Sequence, residues 1–168
     1  EQHKLNSSQW WDVGMRAATD YGLTCPVRRL ARTVTSVNNK TEDDNATKVF
    51  RYYFTRTPIY SANFKTTKTM GAFHGAEVPF VFGDGFELNG EEEITLSRRM
   101  GCYWSNFAAT GDPNNGTCAN ISLPSWPEFR QDQSEKTLVL DVGSKLEVAE
   151  NLSNERCDMF DKKGVYPA

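Results

Sequence analysis

Gly71-Ala72-Phe73-His74-Gly75-Ala76-Glu77-Val78-Pro79-Phe80-Val81-Phe82-Gly83 is apolar and rich in glycine, and it follows neither the strand nor the helix period. The stretch therefore reads as loop and short turns over residues 72–87. His74 stands between an aromatic and a glycine. Imidazole both takes and returns a proton near neutrality, which suits general acid–base work. Gly75 permits a sharp backbone turn, and the apolar run 78–82 can anchor the loop in a core. Glu77 lies three residues on and, from the residues alone, reads as a carboxylate that stabilises the loop. Phe73, Phe80 and Phe82 read as core aromatics before they read as pocket lining. His3, the other histidine, has no such context.

Downstream, residues 89–110 form the clearest helix. Asn89 is placed to cap it, with Glu92 completing a capping box. Glu91, Glu92 and Glu93 favour its positive end. Ile94, Ser97, Gly101, Trp104 and Ala108 make one stripe, widened by Leu96, Met100 and Phe107. Arg98 and Arg99 are expected to pair with the glutamates along the helix surface. Gly111 and Pro113 end the helix. A polar loop over 112–124, a docked segment at Trp126-Pro127, a short strand at 138–140 and a final helix over 147–161 follow. Upstream, residues 8–32 read as helix around a break at Gly22 and Pro26, and 36–48 as a polar loop. Residues 49–54, Val-Phe-Arg-Tyr-Tyr-Phe, read as a strand covered on both faces in a parallel sheet.

The 168 residues carry a net charge of −3, and no basic stripe interleaved with aromatics is present, which argues against nucleic acid as a partner. No apolar run reaches the length of a membrane span, and no cofactor motif or phosphate cradle occurs. Cys25, Cys102, Cys118 and Cys157 lack metal-site spacing, so two disulfides in an oxidising compartment are expected rather than a metal. Six Asn-x-Ser/Thr sequons, at Asn6, Asn39, Asn45, Asn115, Asn120 and Asn151, exceed what chance supplies and fall in polar, turn-like stretches. They point to a secreted glycoprotein, whose signal sequence would have to lie upstream of Glu1.

The 71–83 stretch resembles the histidine loop of the carboxylesterase/cholinesterase family, where His-Gly-x-Glu is followed by an apolar run ending in Val-Phe-Gly. Glu91-Glu92-Glu93, Leu96-Ser97-Arg98-Arg99, Tyr103-Trp104 and Asn106-Phe107-Ala108-x-Thr110-Gly111-Asp112-Pro113-Asn114 are similar to the family's late helix and exit turn. Trp126-Pro127 with Phe129 matches as well. Cys25-Pro26 and Cys157-x-x-Phe160 resemble its C-terminal disulfide partners. The likeness keeps order and spacing from about residue 24 to 160.

The resemblance implies an α/β fold: the C-terminal part of an α/β-hydrolase, an incomplete domain of a few strands plus helices. Residues 1–168 would be the C-terminal third of a single carboxylesterase-type domain, with the remainder missing or on a companion chain. It implies a secreted serine hydrolase of carboxylic esters, needing no cofactor. His74 would be the triad histidine, with Gly75 and Glu77 beside it. Cys25 would pair with Cys157, leaving Cys102 for Cys118. No Gly-x-Ser-x-Gly elbow occurs in these residues. An upstream segment or companion chain would therefore carry the serine, the acid and the oxyanion hole, and the substrate would be a small-molecule ester. The alternative is a non-catalytic adhesion member of the same fold, neuroligin-like, in which a histidine can persist without the serine.

Overall fold

A computed structural model describes residues 7–38, 47–58 and 71–164, apart from 86, 119 and 132. Asn6, Asn39, Asn45, His3 and most of the 36–48 loop lie outside the described residues.

Helix α1 (Ser7–Thr19) runs through a π-turn (Asp20–Thr24) into α2 (Cys25–Asn38), so the expected break is absent. The wider turn is the physical reason. The Cys25 N–H reaches back to the Asp20 carbonyl, and Pro26 then falls in the first turn of α2, where a missing N–H costs little. α2 continues to Asn38, into what reads as loop.

Strand β1 (Tyr52–Phe54) pairs in parallel with β2 (Thr137–Leu140), Tyr53 opposite Val139. β2 pairs antiparallel with β3 (Glu147–Ala149). β1 is shorter than the 49–54 run because the 126–129 segment takes over its start. The Phe129 N–H bonds the Val49 carbonyl at 2.7 Å, and Trp126 Nε1 bonds the Arg51 carbonyl at 3.1 Å. Phe50, Tyr52 and Phe54 face the core, while Arg51 is buried toward the opposite side. The final helix is also shorter than expected: residues 147–149 are β3, and only α5 (Asn154–Lys162) is helical. Ser153, at φ 65, makes the turn between them.

Two further helices cover the sheet: α3 (Val78–Phe82) and the long α4 (Gly90–Thr110). Phe80, Leu96, Met100, Tyr103, Trp126, Leu138, Leu140 and Val142 form the core between helices and strands. The buried face of α4 is Glu93, Leu96, Ser97, Met100, Tyr103 and Asn106. This departs from the sequence stripe, since Phe107 and Ala108 are exposed. Three polar groups face inward because each has a partner: Glu93 bonds Arg56 at 2.8 Å, Ser97 bonds the Phe80 carbonyl at 2.8 Å, and Asn106 bonds the Pro113 carbonyl at 3.1 Å. The helix start differs too. Asn89 makes no side-chain cap, and its N–H donates to Glu93 Oε2 rather than to Glu92. Glu93 thus pairs with Arg56, and Arg99 donates to the Ser122 carbonyl. Gly111, at φ 73, closes the helix through its N–H to the Phe107 carbonyl.

On the other side, Cys25 is joined to Cys157, tying α2 to α5, and Cys102 is joined to Cys118, tying α4 to the loop beyond it. Arg28, fully buried, bonds Asp158 and Asp161 at 2.7 Å each and Asn154 at 3.2 Å. The charged face of α2 is therefore inside. Its apolar stripe, Val27, Leu30 and Val37, is exposed, Leu30 to 65%.

Candidate functional site

The sequence places chemistry at residues 71–83, and the fold holds that stretch against its core. Residues 74–77 form a turn that leads into α3, with the Ala76 N–H on the Phe73 carbonyl and the Val78 N–H on the Gly75 carbonyl. Gly71 and Gly75 take φ of 62° and 84°, where a side chain would be strained, so glycine at both positions allows the turn. Pro79 sits in the first turn of α3, where its ring suits the helix. Gly83, at φ 67, ends the helix after five residues. The stretch therefore contains a short helix where loop alone was expected. Its apolar side provides the anchor: Ala76 and Phe80 are buried and Phe54 packs on Phe80 at 5.3 Å.

α3 is pinned to α4 at two points. Ser97 Oγ donates to the Phe80 carbonyl, and Gly101 is small enough for the Val81 carbonyl to come close, so that an added Cβ would lie 3.3 Å from that oxygen. The three aromatics separate: Phe80 is core, Phe73 is half-buried and Phe82 is 77% exposed.

His74 is exposed at the head of this turn. Among the described residues no hydrogen bond holds its imidazole, and no group of three or more His, Cys, Asp or Glu is placed to hold a metal. Glu77, half-buried, accepts from the Tyr52 hydroxyl at 3.5 Å, and its own carbonyl receives the Phe80 and Val81 N–H groups. Tyr52 is fixed in turn by Trp104 and Trp126, with ring centroids 5.1 and 6.0 Å away. Burial, and then the Glu77 charge, push the Tyr52 hydroxyl above its ordinary range, so it stays a neutral donor. Tyr52 reads in the sequence only as one residue of the 49–54 strand. The aromatic alternation Phe50, Tyr52, Phe54 was the available signal for a shared inward face.

Among the sequons, Asn115, Asn120 and Asn151 are all exposed, the last two at φ 60° and 53° in turns. No described helix is long and apolar enough to cross a membrane.

The Carboxylesterase family profile matches residues 1–160. The chain is 32% identical over 136 residues to Acetylcholinesterase 1 of Caenorhabditis briggsae, covering 78% of this chain and 20% of the relative. It is 42% identical over 83 residues to Carboxylesterase 4A of Bos taurus, covering 48% and 14%. It is 42% identical over 98 residues to Cocaine esterase of Homo sapiens, covering 56% and 16%. The matched region thus spans a fifth or less of these curated relatives.

Proposed function

This chain belongs to the carboxylesterase family, with the α/β-hydrolase fold that membership carries, and from that premise we propose that it supplies the general base of a serine esterase. His74 takes the proton from a serine hydroxyl as that oxygen attacks the ester carbonyl. The tetrahedral intermediate collapses, the C–O bond to the alcohol breaks, and His74 gives its proton to the departing alcohol. Water then repeats the sequence on the acyl-serine, again with His74 as base, and the acid leaves. The single observation behind this reading is the placement of His74: an exposed imidazole on a turn whose next helix is locked into the core at Phe80. Rigid support with an open reactive edge is what a proton shuttle needs.

In this reading the serine, the acid and the oxyanion-hole donors come from an upstream segment or a companion polypeptide, and residues 1–168 are the C-terminal third of one catalytic domain. The exposed apolar faces of α1 and α2 support this. Trp10 and Trp11 are 61% and 57% exposed, and Val27, Leu30 and Val37 on α2 are exposed as well. Exposed large apolar side chains on two helices suit a surface that another part of the protein covers. In the same reading the protein is secreted and glycosylated; two cystines and exposed sequon asparagines support this, since disulfides persist in oxidising compartments.

A fluorophosphonate probe applied to the whole protein tests the proposal. Labelling of a serine on the upstream segment or associated polypeptide, slowed when an excess of a small ester competes with the probe, is the expected result. No label and no turnover would replace the esterase with the binding reading.

A further inference from the structure

We infer that Tyr52 is a positioning residue for His74, acting through Glu77; the inference rests on the esterase reading above. The imidazole has no hydrogen-bond partner of its own among the described residues, so its placement depends on the turn that carries it. That turn closes on Glu77. The backbone carbonyl of Glu77 starts α3 by accepting the Phe80 and Val81 N–H groups at 3.0 and 3.1 Å, while its carboxylate reaches the Tyr52 hydroxyl on β1 at 3.5 Å. The strand is the rigid side of this contact. Tyr52 lies opposite Leu138 in the parallel ladder, and its ring meets Trp104 and Trp126 edge-on. Ser97 secures the middle of α3, at the Phe80 carbonyl. Tyr52 secures the near end, three residues from His74. A tyrosine is suited to this role because the ring packs in the aromatic cluster while the hydroxyl reaches out to a charged acceptor. Phenylalanine at the same place would keep the packing and lose the tether.

The consequence is selective. The Tyr52 hydroxyl meets the Glu77 carboxylate, so its loss should act on the proton-transfer step. Tyr52→Phe in the whole protein is expected to lower kcat by about tenfold with KM unchanged, because small misplacements of a reacting group are costly in rate. The melting temperature should stay near that of the wild type. In the same samples, hydrogen exchange read by mass spectrometry on peptides spanning residues 71–82 should become faster, with the α4 peptides unchanged. An unchanged kcat would overturn the inference, as would a parallel rise in KM with a lowered melting temperature, which is the mark of a general structural loss. The exchange readout needs no activity. If the wild type hydrolyses no ester, the esterase reading fails on that result, while faster exchange over 71–82 still supports the Tyr52 tether and unchanged exchange overturns it.

Discussion

The Ser97 hydroxyl donates to the Phe80 carbonyl oxygen at 2.8 Å, joining the long helix α4 to the short helix that follows His74. Both residues are buried, so that carbonyl has no ready access to water. Ser97→Ala removes this buried hydrogen bond and should destabilise the protein by about 1 kcal/mol, the usual net worth of one such bond. Denaturant unfolding of the two proteins gives the comparison. A difference below about 0.5 kcal/mol would mean that water replaces the hydroxyl.

His74→Gln keeps much of the shape and some hydrogen bonding but cannot shuttle a proton. Turnover of a small activated ester should fall by several orders of magnitude, with the fold retained in a thermal melt. If the folded variant keeps more than about a tenth of the wild-type rate, another group is the base.

Arg28 has no exposed side-chain surface and holds two carboxylates and Asn154. Arg28→Ala should cost about 3 kcal/mol, toward the lower end for a broken buried pair because Asp158 and Asp161 keep part of their hydration. Arg28→Lys should recover only part of it, since one ammonium cannot stand in for two nitrogens, Nη2 donating to both carboxylates and Nη1 to Asn154. Full recovery by lysine would show that charge alone is what the site requires.

Asp158 links the same cluster to pH. The hydrogen bond from Arg28 holds its carboxyl below the usual carboxylate range, reinforced by the charges of Arg28, Arg32 and Lys162. A folded-state value below the unfolded one means that its contribution is fully present above the unfolded value of about 4 and disappears as pH falls through the lower folded value. Asp158→Asn should thus flatten the acid limb of a stability–pH curve measured from about pH 2 to pH 6, leaving the neutral region parallel to wild type. An unchanged acid limb would place the acid sensitivity elsewhere.

The two cystines close loops of very different span, 132 and 16 residues of separation. On the chain-entropy account, Cys25→Ser with Cys157→Ser should cost about 4–5 kcal/mol, and Cys102→Ser with Cys118→Ser about 3 kcal/mol. Non-reducing peptide mapping of the wild type should recover both links. A peptide joining Cys25 to Cys102 would contradict the structure.

Several features could be read along the chain because their causes are local. The helix over 90–110 announces itself by glutamates at its start and by Gly111 and Pro113 at its end. Leu138 to Leu140 reads as strand from its branched apolar run. The family likeness of the 71–83 stretch and of the later signatures lies in residue order alone, and the profile match over residues 1–160 agrees with it. Tertiary structure decided what depends on partners distant in sequence. Glu93 and Asn106 look like surface residues until Arg56 and Pro113 are brought to them, so the buried face of α4 could not be taken from apolar spacing. The inward face of α2 is set by Arg28 because α5, more than a hundred residues away, supplies its acceptors. Residues 147–149 became a strand because β2 offered an open edge. The contact of Tyr52 with Glu77 exists only because β1 passes beneath the turn of His74. Periodicity records what a residue prefers next to water or oil, whereas a buried polar group is placed by the particular partner that compensates its lost hydration.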